Sequence, residues 1–529
     1  MNFSTRHLTL SETRQFSKLF TDYVQQTGAL NGYYAFPPDE AGLMASALSL
    51  KYNESHRAVL AGAIQAQYEK AGVKLPEALH QKLAAEGTLT VCTGHQLVLL
   101  GGPLFFVYKI LTIIKTAAQL SERLQREVVP IFWMAGEDHD IDEIRSVQLY
   151  GKTINWNQTG GGPVGRLRTD SLQPFLEELA QVLGNAPGTD EMKTALDEIY
   201  APGRSLTEAT RRFVHFLFGD KVLCLDPDDA SLKKLFIPQL RAEMETGIAL
   251  QPVSQSIAAI EAAGYEAQVN PRPINLFYIT DTTRERIDRS GNDFILTGSN
   301  RIIPRHELLA ELEQQPQNFS PNVVLRPLFQ QHILPNIAYV GGPGELAYWL
   351  EYRAFFESQQ IHFPVLMPRA FMLVLDKGTA SKLAKLQTDL TELFLPTDEL
   401  LKNYIKRTSG DQLSFEAEQE ALQQLFVTIA AKAAATDATL RGAAESTLQQ
   451  MKNSLAVLES KVVRAAKQKE ETSLDQLKKL REKILPGNVL QERSDNILPL
   501  LLRYGMDFIH TLEEQITPGV HELTVLTEQ

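Results

Sequence analysis

One pattern narrows the fold of this chain more than any other. Short apolar runs alternate with helical stretches up to about residue 376, and then the runs stop. They fall at 88–93, 128–135, 221–226, 274–280, 323–326, 337–341 and 363–368, bounded by Pro, Gly or Asp. Strands separated by helices predict an α/β fold with a doubly wound parallel sheet. In such sheets a ligand sits beyond the carboxyl ends of the strands, where the strand order reverses. Residues 1–87 read as helical and polar, with no strand alternation. Two segments interrupt the pattern and are expected to be insertions: about 155–215, opened by Gly160-Gly161-Gly162-Pro163, and about 299–322, rich in Gln, Asn and Pro.

Beyond 376 the periodicity changes. Leu383, Leu386, Leu390 and Leu393 recur at three- and four-residue steps, and 438–483 contains no proline. Met451, Leu455, Leu458, Val462 and Ala465 keep heptad spacing; the repeat stutters at 469–472, and Leu477, Leu480 and Ile484 resume it in a new phase. The expectation is a core over 1–375, an α-helical coiled-coil arm over 376–485, ended by Pro486-Gly487, and a segment 486–529 that returns to the core. An ordinary helical bundle packed on the core is the alternative to an arm.

Bulk properties exclude some functions. With 52 Lys plus Arg against 64 Asp plus Glu, the net charge of −12 argues against a general nucleic-acid binder. Cys92 and Cys224, each in an apolar run, read as buried reduced thiols. The N-terminus lacks a signal-peptide core, and the apolar stretch 97–107 is too short to span a bilayer, so a cytoplasmic protein without membrane contact is expected.

Four segments carry candidate chemistry. Thr93-Gly94-His95-Gln96, followed by Gly101-Gly102-Pro103, is a strand, a glycine turn and a helix, the arrangement in which backbone N–H groups hold an anion; a plain structural turn is the alternative. Trp133 belongs to an apolar strand that runs into Glu137-Asp138-His139-Asp140. Three carboxylates around one imidazole shift one another's pKa values, which is costly in a fold and useful in a site. His139 is the candidate base or donor, with Asp138, Asp140 and Glu137 beside it; a solvated acidic turn and a metal site stay open. Arg326 precedes Gly341-Gly342-Pro343-Gly344-Glu345, a second glycine turn into a helix. Arg326 suits a carboxylate or phosphate, and Glu345 could orient an amine; a structural ion pair and a helix-dipole residue are the alternatives. Lys479 and Lys483, with Gln491 and Arg493 beyond Leu485-Pro486-Gly487, form a local basic patch: a solvated helix face or a phosphate-holding surface.

Together these segments, with Tyr108-Lys109, Phe132-Trp133-Met134-Ala135, Leu325-Arg326-Pro327, Tyr339-Val340 and Leu490-Gln491-Glu492-Arg493, resemble the BshC family of bacillithiol biosynthesis over nearly the whole chain. The family's usual Thr-Gly-Gln-Gln is Thr93-Gly94-His95-Gln96 here. The resemblance implies a Rossmann-like core similar to class I aminoacyl-tRNA synthetases and nucleotidyltransferases, with connecting-peptide insertions and a coiled-coil domain used in homodimerisation. It implies a ligase that adds L-cysteine to glucosaminyl malate. A carboxylate is a poor electrophile, so ATP is expected as co-substrate, by adenylation or phosphorylation, with magnesium carried by the nucleotide and no dedicated protein metal site. The sequence has no clean HIGH motif, and Lys377-Gly378-Thr379-Ala380-Ser381-Lys382 approaches a KMSKS loop only weakly. A synthetase-like nucleotidyltransferase with another substrate, and a non-catalytic dimeric scaffold, are the other readings.

Overall fold

A computed structural model describes residues 2–185, 187–409 and 414–529. Its centre is a five-stranded parallel sheet of β1 (Leu89–His95), β2 (Val128–Met134), β3 (Leu223–Leu225), β4 (Asn336–Gly341) and β5 (Val365–Pro368), in the order β5-β4-β1-β2-β3. The strands read as continuous apolar runs because both faces are covered: every residue of β2, Val-Val-Pro-Ile-Phe-Trp-Met, is buried. Helix α1 (Phe105–Leu124) carries the chain from β1 to β2 and packs on both strands. The chain then moves outward to β3 and returns on the opposite side of β1 for β4 and β5. Strand order therefore reverses between β1 and β4, which is where a doubly wound sheet opens its ligand crevice.

Two expected strands lie elsewhere. Leu276–Ile279 belongs to a separate five-stranded antiparallel sheet with Arg284–Ser290, Asp293–Leu296, Arg301–Ile303 and Phe319–Pro321. The second insertion thus extends well upstream of 299. The run 323–326 is a helix entry, because the Asn322 side chain accepts the backbone N–H groups of Val324 (2.9 Å) and Leu325 (3.2 Å) and α2 (Arg326–Ile333) follows, with Pro327 in its first turn.

Between β2 and β3 lie a hairpin, Ser146–Leu149 with Lys152–Asn155, just before the expected first insertion, and then helices Gln173–Leu183, Thr189–Ile199 and Leu206–Phe218. The N-terminal region is helical between Lys18 and Ala84, but it begins with a strand that its sequence does not announce. Phe3–Thr9 pairs antiparallel with Glu522–Glu528, which pairs parallel with Phe371–Leu375. Leu8 alone in that first strand is buried, so there is no apolar alternation to read. Through this three-stranded sheet the last strand of the chain lies between the first strand and Phe371–Leu375.

Helix α3 (Pro343–Trp349) follows β4. In the C-terminal region α4 (Glu416–Thr436) and α5 (Leu440–Lys469) form an antiparallel hairpin turned at Asp437, and α6 (Glu471–Ile484) leads back to the core. The break at Glu470 sits where the heptad phase slips. Leu474, Leu477, Leu480 and Ile484 of α6 are buried, whereas Met451 and Leu458 of α5 stay 45% and 49% exposed. No helix among the described residues is long and apolar enough to cross a membrane. Cys92 and Cys224 are both buried and unpaired.

Candidate active site

A cleft of about 760 Å³ opens at the switch point, lined from β1, β2, β4, the second insertion and the C-terminal segment. Gly94 is the next-to-last residue of β1 and lines the cleft. A methyl group there would stand 3.4 Å from the Tyr339 hydroxyl, 3.7 Å from an Arg326 Nη and 3.7 Å from the Trp133 ring, so glycine leaves this corner open. Arg326 is the notable group. Its guanidinium donates to the Tyr348 hydroxyl (2.9 Å) and to Gln330 Oε1 (3.3 Å), and no carboxylate among the described residues pairs with it. Trp133 is fully buried and its indole N–H has no partner. A permanent cation and an unused N–H on one wall of a cleft call for an anionic oxygen ligand.

The acidic run after β2 divides by role. Asp138 lines the cleft, accepting from Gln96 Nε2 (2.8 Å) and from the backbone N–H of His139 (2.7 Å). Burial works against its charge, but the hydrogen bonds from His139 and Gln96 and the Arg284 guanidinium outweigh it and hold the carboxyl well below its ordinary value. Glu137 also lines the cleft, 2.5 Å from buried Lys233, which in turn lies 3.3 Å from Asp228. His139 sits toward solvent; Arg284 Nη1 reaches its Nδ1 at 3.0 Å, and since a guanidinium only donates, Nδ1 is the acceptor. Asp140 is exposed and caps a short helix by accepting the Asp142 N–H (3.2 Å). The tetrad expected as one catalytic unit is therefore two cleft carboxylates, a histidine one step back and a cap. Among the described residues no group of three or more His, Cys, Asp or Glu side chains could hold a metal.

The second glycine turn forms the adjoining wall. Glu345 accepts from Lys109 Nζ (2.5 Å), the Tyr339 hydroxyl (2.7 Å) and the Gly342 N–H (2.9 Å). These bonds occupy the carboxylate, so the expected role of orienting a substrate amine gives way to bracing the turn. Lys109 also donates to the Gly94 carbonyl (2.7 Å), tying β1 to that brace. Gly342 and Gly344 line the cleft, whereas Gly341 is buried, with Leu346 2.8 Å from where its methyl would stand.

Other expected ligand residues are structural. Gly101 and Gly102 have φ of +73° and +63°, and added methyl groups would strike Phe106 and Val98 at 2.8 and 2.7 Å, so the first Gly-Gly-Pro is a packing turn away from the cleft. Thr93 is buried and donates to the Val340 carbonyl (2.7 Å), locking β1 to β4. Gln491 exchanges hydrogen bonds with the Val374 backbone, Lys483 pairs with Asp376, and Lys479 is exposed on α6; only Arg493 of the basic patch reaches the cleft. Lys377–Lys385 is a helix capped by Asp376, which accepts the Thr379 N–H (2.8 Å). Sequence reasoning missed Arg284, Phe277, Tyr348 and Arg369. Arg284 opens a polar strand of the antiparallel sheet with nothing to mark it, and Arg369 only follows a strand end.

The families and relatives that resemble this chain agree on one assignment. Residues 3–370 match the description "Bacillithiol biosynthesis BshC, N-terminal Rossmann-like domain", and 372–528 match "Bacillithiol biosynthesis BshC, C-terminal coiled-coil domain". The chain belongs to the BshC family. Relatives named "Putative cysteine ligase BshC" include proteins of Cytophaga hutchinsonii (36% identical, 98% of this chain and 97% of that protein), Christiangramia forsetii (34%, 99% and 99%) and Flavobacterium johnsoniae (33%, 97% and 97%). A solved structure named "putative arginyl t-RNA synthetase", from Campylobacter jejuni, covers 85% of this chain and 97% of its own at 12% identity and a TM-score of 0.23, an overlap too slight to carry any chemistry.

His95 has a distinct consequence. Its Nδ1 lies 2.7 Å from the Gln96 carbonyl and its ring packs on Phe105 and Phe106, so it is a neutral imidazole with the proton on Nδ1. Burial, helped by the Lys109 charge, lowers its pKa to about 4. The unfolded chain therefore binds this proton first, near pH 6.5, and the native state loses stability as pH falls from about 6.5 to 4. His95→Gln removes that dependence: the melting-temperature difference between wild type and variant should shift toward the variant from pH 7 to pH 4.5 and stay flat above pH 7.

Proposed function

We propose that this chain joins the carboxyl group of L-cysteine to the amine of glucosaminyl malate, giving bacillithiol, with ATP as the activating co-substrate. The observation that carries the reading is the half-buried Arg326, with no carboxylate partner among the described residues, beside the unused Trp133 N–H at the switch point. Arg326 and Trp133 hold the cysteine carboxylate. Asp138, kept ionised, receives the sugar ammonium, and His139 with Arg284 positions Asp138. Adenylation suits the sheet geometry: a carboxylate oxygen attacks the α-phosphorus, pyrophosphate leaves, the sugar amine then attacks the acyl carbon, and AMP leaves as the amide forms. Glu137 is the cleft carboxylate placed to take the proton the amine sheds.

Cysteine-dependent exchange of labelled pyrophosphate into ATP tests the first half of this sequence. Exchange that requires cysteine and ceases in Arg326→Gln supports it. Release of ADP and phosphate instead would replace adenylation by phosphorylation, and exchange without cysteine would point to another acyl substrate.

The arm supports a homodimer. Leu425 and Val427 of α4 are 57% and 58% exposed, and Met451, Val457 and Leu458 of α5 are also open. Such apolar surface on a helical hairpin suits burial against a second copy. Light scattering should report twice 59.1 kDa for the wild type, and Met451→Glu/Leu458→Glu should yield the monomer.

A further inference from the structure

The cleft has a second cationic corner that the activation chemistry leaves unused. Arg369 follows β5 and is buried; its Nη2 is held by Glu492 (2.5 Å) and its Nη1 by the Ala370 carbonyl (2.8 Å), while its Nε has no partner. That Nε lies 3.7 Å from where a methyl on Gly342 would stand, closed to solvent behind the Gly342 wall of the cleft. Arg493 lines the same corner from the C-terminal segment and has no ion-pair partner among the described residues. Phe105 lies under both guanidiniums, at 5.2 Å from Arg369 and 5.9 Å from Arg493. Two cations on one ring, with Glu492 paired to Arg369 and nearby Glu345 paired to Lys109, leave one net positive charge at this corner.

Resting on the reading above, we propose that Arg493, backed by the buried charge of Arg369, forms a subsite for the dicarboxylate end of the acceptor, and not for the phosphates of the nucleotide. Guanidinium edges match planar carboxylates in a fork, and an aromatic floor fixes the plane in which they are presented. One net positive charge suits a malyl dianion better than a triphosphate, which carries about four negative charges and needs a denser cradle of donors. The two residues come from the two parts of the chain that match separate BshC domain descriptions. The C-terminal segment would thus complete acceptor recognition as well as tether the arm.

The test uses the full-length protein and Arg493→Gln, with L-malate and inorganic pyrophosphate as separate probes in thermal-shift titrations, and steady-state kinetics alongside. The proposal expects L-malate to stabilise wild type and to lose about tenfold or more in apparent affinity in the variant, with the pyrophosphate response unchanged. In turnover, KM for glucosaminyl malate rises by a similar factor while KM for ATP and kcat hold, and a methyl glucosaminide acceptor shows no difference between the two proteins. Loss of the pyrophosphate response with malate binding intact would overturn it in favour of a phosphate subsite. An unchanged malate response, or none in wild type, would overturn it outright. Malate binding that depends on Arg493 without any turnover would leave the subsite standing and remove the proposed ligase reaction instead.

Discussion

Replacing Arg326 with glutamine is expected to lower kcat/KM for cysteine by about 100-fold or more, because truncating one member of a buried charge pair costs roughly 2–5 kcal/mol. The folded protein should survive the change. Among the described residues Arg326 has no carboxylate partner to strand, and its bonds to Tyr348 and Gln330 are to neutral groups that a glutamine can partly replace. Arg326→Lys should recover little, since an ammonium cannot present the same planar fork. The measurement is steady-state kinetics with cysteine varied at saturating ATP and acceptor, with circular dichroism to confirm the fold. A variant within threefold of wild type would remove Arg326 from substrate binding.

The second large effect is on stability. Glu492 is fully buried and accepts from Arg369 and from the Met372 N–H (3.1 Å), joining the C-terminal segment to the start of the Phe371–Leu375 strand. Glu492→Ala leaves the Arg369 charge buried without its partner, which costs on the order of 3–5 kcal/mol. Chemical denaturation should show that loss. The double variant Arg369→Met/Glu492→Met should regain most of it, because removing both charges removes the uncompensated one. Equal losses in the single and double variants would show that packing, not charge, holds this junction.

These expectations also mark how far the sequence could be read. The parallel sheet was legible because β1, β2 and β4 are largely apolar runs that lead into glycine turns or the acidic run at 137–140, a pattern that burial on both faces favours. The cleft was half legible. Gly94, Gln96, Trp133, Asp138 and Gly342 converge because each lies at or just past a strand end, and topology brings strand ends together; Arg326 joins them from the first turn of α2. Residues that reach the cleft from elsewhere carry no local mark: Arg284 comes from an antiparallel insertion, and Arg493 from a segment 124 positions beyond Arg369. The two Gly-Gly-Pro turns look alike in sequence and differ in space. Gly101 and Gly102 need glycine for positive φ and close packing, while Gly342 needs it for an open wall. The Phe3–Thr9 strand escaped notice because its pairing partner is at the other end of the chain, and a polar edge strand has no periodicity of its own.

The central claim is that a single cleft at the β1–β4 switch point condenses cysteine with an amino sugar at the expense of ATP. The most direct measurement mixes the purified full-length chain with L-cysteine, glucosaminyl malate and magnesium ATP and follows bacillithiol by mass spectrometry. The account predicts product only when all three substrates are present, in step with AMP formation, and at least about 100-fold less product with Arg326→Gln. Product at the same rate without ATP, or no product from folded wild-type protein with all three substrates present, would contradict it.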